Sequence, residues 1–250
     1  MLALIGFITF VSEYLDSSLG MGYGTALSAV FLILGYDPLR VVPAILISQF
    51  FTDIAACFFH HRMRNVNLKM HSRDFKVAAV LGVVSALGVL VSVLIAVKIP
   101  RRILALYIGL LVLAMGILIL VSRKRPVRFS MRKIIGISFL AAFNKGISGG
   151  GYGPIVMGGQ LLAGVCPKGA VGITAFAEAV TCLVGFIIYL ILGKSIDWKL
   201  TGMLIICALG AVPVAAVTVR DSRAQSLHKY IGILITLLGL LTILKISCGG

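Results

Sequence analysis

The chain has 250 residues, 60% of them apolar and 12% charged, with a mean hydropathy of +1.09 and a formal net charge of +15. Soluble domains carry about 25% charged residues, so the composition is that of a bilayer protein and argues against a soluble enzyme. The basic residues lie in short segments between apolar runs, where they orient helices, so the charge does not point to a nucleic-acid partner. The five cysteines, Cys57, Cys166, Cys182, Cys207 and Cys248, have no CxxC spacing and support neither a disulfide framework nor a zinc site.

In chain order, the first apolar run covers residues 2–14; it has no basic flank and closes on Glu13 and Asp16, so it reads as a retained helix and not a cleaved leader. Asp16, Ser17 and Ser18 lead into the turn Gly20-Met21-Gly22-Tyr23-Gly24, followed by a short segment at 25–34. The third segment, 41–59, carries Gln49 and Thr52 one turn apart, with Asp53 about 100° further around the helix, where it serves either the same cavity or a structural contact. His60 and His61 close it and read as a polar interfacial end, since no further ligand stands at metal-binding spacing. A basic loop with Arg62, Arg64, Lys69, Arg73 and Lys76 follows, then runs at 77–97 and 103–121 without a single charge. Such runs meet the roughly 20 residues needed to cross about 30 Å of hydrocarbon.

After a second basic loop, with Arg123, Lys124, Arg125, Arg128, Arg132 and Lys133, the plan starts again. Short segments at 134–143 and 155–163 flank Asn144, Lys145, Ser148 and the turn Gly149-Gly150-Gly151-Tyr152-Gly153; longer ones follow at 170–192, 200–219 and 227–244. Residues 20–24 fall on 149–153 at an offset of 129, which also brings Gly35 onto Gly164, Pro38 onto Pro167 and Thr52 onto Thr181. Later the offset becomes 123, with residues 107–109 on 230–232. Ordered matches over this distance indicate an internal duplication, with a first repeat at 1–122, a cytoplasmic linker at 123–133 and a second repeat at 134–250. The expected fold is all-α: a polytopic transmembrane protein of two repeats, each of about five segments, with glycine-broken helices. Whether the short pairs span or re-enter, an odd number of crossings precedes the second repeat, so the repeats are inverted. The loops after segments three, five, seven and nine hold fifteen Lys and Arg against seven in the others, leaving out Lys145. The positive-inside rule then places both termini outside a multi-pass cell-membrane protein.

Glycine costs about 1 kcal/mol relative to alanine in a helix interior, yet five of the eight residues 146–153 are glycine, beside Pro154. Unwound backbone in lipid is tolerated where it lines a cavity, and paired broken helices in inverted repeats point to a transport site; close packing through small residues is the alternative. Helix N-termini at such breaks favour an anion, and Lys145 beside the second turn points the same way; the alternative is that it snorkels to headgroups or pairs with Asp16, its counterpart. Glu178, the counterpart of Gln49, lies deep in its run with Thr181 one turn on and reads as a proton carrier, with Asp16 as a second proton-coupling candidate. The alternative is interhelical hydrogen bonding alone. No GxSxG, HExxH, Walker A or dinucleotide fingerprint stands in a confirming context, so no enzyme activity is expected.

The segments Asp16-Ser-Ser-Leu-Gly-Met-Gly-Tyr-Gly24 and Asn144-Lys-Gly-Ile-Ser-Gly-Gly-Gly-Tyr-Gly-Pro154 resemble the TauE/SafE sulfite exporter family over nearly the whole chain. The first turn departs from that family's GxGGG pattern at Met21, and has Thr25 where proline would follow. The resemblance implies a permease for sulfite, sulfonates or related small organic anions with a duplicated helical architecture. The expected binding site comprises Ser17, Ser18, Gly20, Gly22, Tyr23, Gly24, Gln49, Thr52, Asn144, Lys145, Ser148, Gly149, Gly150, Gly151, Tyr152, Gly153 and Thr181. It works by alternating access, with no cofactor and no metal; an anion channel and, further off, an intramembrane enzyme are the alternatives. The expected partners are a small anionic solute and the bilayer, with a coupling proton and a second copy of the chain as further candidates.

Overall fold

A computed structural model describes residues 2–121, 131–221 and 228–248. They form the helices α1 (Leu2–Leu19), α2 (Tyr23–Ile33), α3 (Pro38–Arg62), α4 (Arg73–Ala96), α5 (Arg101–Val121), α6 (Met131–Ser148), α7 (Tyr152–Leu162), α8 (Pro167–Ile191), α9 (Trp198–Leu209), α10 (Val212–Arg220) and α11 (His228–Cys248), and no strand among the described residues. The protein is all-helical, as the composition requires. Among the described residues, five stretches are long and apolar enough to cross a membrane: α3, α4, α5, α8, and α9 taken together with α10.

Local chemistry sets the ends. Asp37 caps α3 by accepting the Leu39 amide at 3.0 Å, with Pro38 at the first helical position, where a missing N–H costs nothing. Ser72 caps α4 through Phe75 N at 3.1 Å, and Asp197 caps α9 through Leu200 N at 3.0 Å. The single segment expected at 200–219 is two helices, because Pro213 cannot donate back and its ring opposes the carbonyl of Leu209, where α9 ends. Two other bounds move further. Helix α1 continues to Leu19 instead of stopping near residue 14, and α6 runs from Met131 to Ser148 instead of 134–143. Their polar residues find partners inside the protein, so they do not end the helix. Of the basic linker expected at 123–133, residues 123–130 lie outside the described residues and the last three open α6.

The protein is apolar outside and polar at its centre. Val83, Leu87, Leu110, Ile206 and Leu237 are exposed, whereas Glu13, Gln49, Asp53, Lys145 and Glu178 are buried. Helix α3 packs on α8 and α5 on α11; α4 packs on α6, and α1 on α9 and α10. Exchanging α1–α5 for α6–α11 leaves this set of pairings unchanged. The α5–α11 pair approaches so closely that a Cβ on Gly116 would lie 2.4 Å from Thr236 N, and one on Gly239 would lie 2.5 Å from Leu113 N.

Candidate functional site

The breaks between α1 and α2 and between α6 and α7 are built alike. Gly20 and Gly22 have φ of 70° and 138°, Gly149 and Gly151 have 74° and 77°, and L side chains disfavour this half of backbone space. The two turns cross in direct backbone contact. A Cβ on Gly24 would sit 1.8 Å from Gly149 O, one on Gly150 would sit 2.7 Å from Thr25 Cα, and one on Gly153 would sit 2.3 Å from Gly20 O. Ser28 Oγ donates across the crossing to Ser148 O at 2.5 Å.

Helices α1, α3, α6 and α8 surround this crossing and supply its charges. Lys145 Nζ, on the last turn of α6, forms an ion pair with Glu178 Oε1 of α8 at 2.6 Å and donates to Gln49 Oε1 of α3. Gln49 Nε2 in turn donates to Asp16 Oδ2 at 3.2 Å. Gln49 therefore bridges Lys145 and Asp16, and the ion-pair partner of Lys145 is Glu178, not the Asp16 counterpart weighed from the repeat. A cation in the last turn of α6 also faces the negative end of that helix, which favours it. Asp53 lies in the same cluster: one carboxylate oxygen from each of Asp16, Asp53 and Glu178 lies within 4.8 Å of the others. Glu13 adds a fourth buried carboxylate, accepting from Ser17 Oγ at 2.6 Å and from Thr52 Oγ1 at 3.1 Å.

Half of the chain's eight acidic residues thus meet in one buried cluster. The other four stand at helix ends: Asp37 and Asp197 as N-caps, Asp74 in the first turn of α4, and Asp221 after α10. Of the basic residues, Lys145 alone is buried among the described residues.

The remaining expected site residues divide by what they touch. Gly24 faces the ammonium, a Cβ there standing 3.0 Å from Lys145 Nζ. The helix-start amides considered as anion donors are engaged in this conformation: Tyr23 N by Asp16 Oδ1 at 3.0 Å, Gly151 N by Thr25 Oγ1 at 2.9 Å and Gly150 N by Ser148 Oγ at 3.0 Å. Tyr23 O–H lies 2.8 Å from Ser48 Oγ, and Tyr152 O–H lies 2.9 Å from Ser85 Oγ, tying each turn to a neighbouring helix. Asn144 faces away from the charges, accepting from Tyr107 O–H at 2.5 Å, and Thr181 Oγ1 donates to Ala177 O at 2.7 Å. Ser18 Oγ is buried without a partner.

His60 differs from the interfacial reading. It is buried, with Nε2 2.8 Å from Ser17 O and Nδ1 3.0 Å from Asn65 Nδ2, while Asn65 also donates to Ala216 O at 2.9 Å. This network fastens the end of α3 to α1 and α10. Glu13 and Asp53 stand outside the expected site set yet belong to the cluster. The available signal was chemical: an acid within an apolar run is expensive unless it has a task.

The profile of the family described as sulfite exporter TauE/SafE matches residues 3–242. The chain is also similar to the probable membrane transporter protein YtnM of Bacillus subtilis (strain 168), with 25% identity over 258 residues covering 98% of this chain and 83% of that protein. No solved structure matches the chain.

Proposed function

The chain belongs to the sulfite exporter TauE/SafE family and is a membrane transporter; from that premise we propose that it carries a small anion, sulfite, a sulfonate or a related organic anion, by alternating access. The observation that carries this reading is the buried Lys145–Glu178 pair of 2.6 Å at the crossing of the two glycine turns. A lone intramembrane ammonium held by one carboxylate is a place where an anion can exchange for that carboxylate. A proton on Glu178 removes its charge, Lys145 keeps its own, and the anion takes the vacated position on Nζ. The substrate and one proton then cross together, and the ammonium is never left unpaired in low dielectric, which would be the costly alternative. The closed pack around Lys145 fits an occluded state, and the close backbone contact at the crossing of the two turns supplies a pivot between the halves.

The symmetric pairing of α1–α5 with α6–α11 supports two related halves on either side of the linker; the odd number of crossings in each half supports their inversion, and the excess of Lys and Arg in alternate loops supports a cytoplasmic 62–76 loop with both termini outside. The test uses purified protein in proteoliposomes loaded with sulfite, a sulfonate or a carboxylate. Saturable exchange of one of these, stimulated by an imposed pH gradient, is expected; Glu178→Gln should keep the exchange and lose the stimulation. Conductance without saturation or counterflow would make the protein a channel and end the alternating-access reading. Impermeant labelling of single cysteines in the 62–76 loop from outside intact cells would reverse the orientation.

A further inference from the structure

Lys145 balances only one of the carboxylates gathered around it. The geometry points to a binding site for one hard cation among Asp16 of α1, Asp53 of α3 and Glu178 of α8. Each contributes one oxygen to a set lying within 4.8 Å of one another. Three oxygens with these separations lie within about 2.8 Å of a common point, close to the 2.3–2.6 Å at which calcium binds oxygen, so a small inward movement of the side chains brings all three onto one ion of that size. A sodium ion has nearly the same radius. The donors are carboxylate oxygens, which suit hard cations and not the metals that prefer thiolate or imidazole.

The orphaned atom is Asp53 Oδ2, which is buried without a hydrogen-bond partner on a residue only 2% exposed. The neighbouring carboxylates are served: Asp16 by Tyr23 N and Gln49 Nε2, Glu178 by Lys145. A buried polar oxygen with no donor is costly, and a cation shared with Asp16 and Glu178 supplies the missing partner. The three residues come from three helices with no ligand spacing in the sequence, which is why no metal site was expected there. The inference rests on the permease reading only for its purpose. A cation drawing on Glu178 does for Lys145 what a proton does in the scheme above, freeing the ammonium for the anion and carrying positive charge across with it.

Sodium and calcium share this chemistry, and titration separates them. Purified protein in detergent, exchanged into N-methylglucamine chloride with a chelator at fixed pH, is titrated with NaCl, CaCl2 or KCl while its melting temperature is followed. Binding of radioactive sodium or calcium is measured on the same preparation. Either NaCl or CaCl2 is expected to raise Tm with the logarithm of its concentration, by about 5–10 °C at a hundredfold excess over Kd, with KCl weaker. Asp53→Asn is expected to weaken this at least tenfold, and Asp221→Asn, outside the cluster, to leave it unchanged. The label binding decides for any variant whose Tm is itself displaced. No Tm shift with either salt and no saturably retained label in the wild type, or wild-type affinity in both Asp53→Asn and Asp16→Asn, would overturn the site. Anion exchange driven by a pH gradient alone, with no cation bound, would leave the permease and remove the cation. Cation binding without exchange of any tested anion would do the reverse.

Discussion

The two glycine turns have the same backbone and opposite charges. Each follows a helix that ends four residues before the tyrosine opening the next one, and each uses two glycines at positive φ. At the equivalent position, however, the first carries Asp16 and the second Lys145. Asp16 lies at the unfavourable negative end of α1 but answers the positive start of α2 by accepting from Tyr23 N. Lys145 is favoured by its own helix end and reaches away to Glu178 and Gln49. The second turn therefore finds its amide acceptors elsewhere, in Thr25 of the first half and in Ser148. One backbone design thus serves two tasks: the first turn closes on itself, and the second frees a cation for the centre while leaning on the first for support.

The largest way to break this comparison is at the crossing, which both turns share. Gly24→Ala places a Cβ 1.8 Å from Gly149 O, where neither backbone can yield. It is expected to cost more than about 4 kcal/mol and to abolish monodisperse folded protein, read by size-exclusion profile and Tm. Next is the charge difference. Lys145→Gln leaves Glu178 without its ion-pair partner, and breaking a buried pair from one side costs about 3–5 kcal/mol. The double variant Lys145→Gln, Glu178→Gln should recover much of that loss. Anion affinity, measured by substrate-induced thermal shift, should stay down by at least about tenfold, or about 1.4 kcal/mol, in both. Lys145→Arg should lose less, since it keeps the charge.

Smaller effects separate the supports of each turn. Thr25→Val removes the acceptor for Gly151 N while keeping the side chain's shape, and a buried donor left alone costs about 1–3 kcal/mol. The loss should be larger than for Thr218→Val, a half-buried threonine whose hydroxyl bonds back to Val214 O of its own helix, as denaturation of the two variants in one detergent would reveal. Smallest is Asp16→Asn, whose amide oxygen can still accept from Tyr23 N. It should change stability by less than about 1 kcal/mol, whereas Asp16→Ala should cost about 1 kcal/mol or more. Equal losses in the two would mean that the negative charge, and not the cap, holds the first turn.

Much of the helix plan was written in the sequence, because apolar runs of bilayer length and glycine clusters are local features. The positions of α3, α4, α5 and α8 follow from them to within a few residues, and the N-caps Asp37, Ser72 and Asp197 fix the starts of α3, α4 and α9. The polar ends of α1 and α6 escaped the same reading. A run of Asp, Ser, Asn and Lys looks like a loop when its partners, on α3 and α8, are more than thirty residues away.

By itself the sequence determined that this is a helical membrane protein with two broken helices and a few costly ionisable residues inside, since hydrophobicity and glycine frequency are properties of short stretches. Only the tertiary structure decided which of those residues meet. Asp53 and Glu13 gave no repeat match and no motif, and Lys145 was read toward a solute, the headgroups or Asp16, not toward Glu178. Packing α3 against α8 around the crossed turns chose Glu178 for the lysine and gathered the remaining acids beside it. The reason is that a charge buried in low dielectric is governed by whatever lies within a few ångströms, and those neighbours come from helices far apart in the chain.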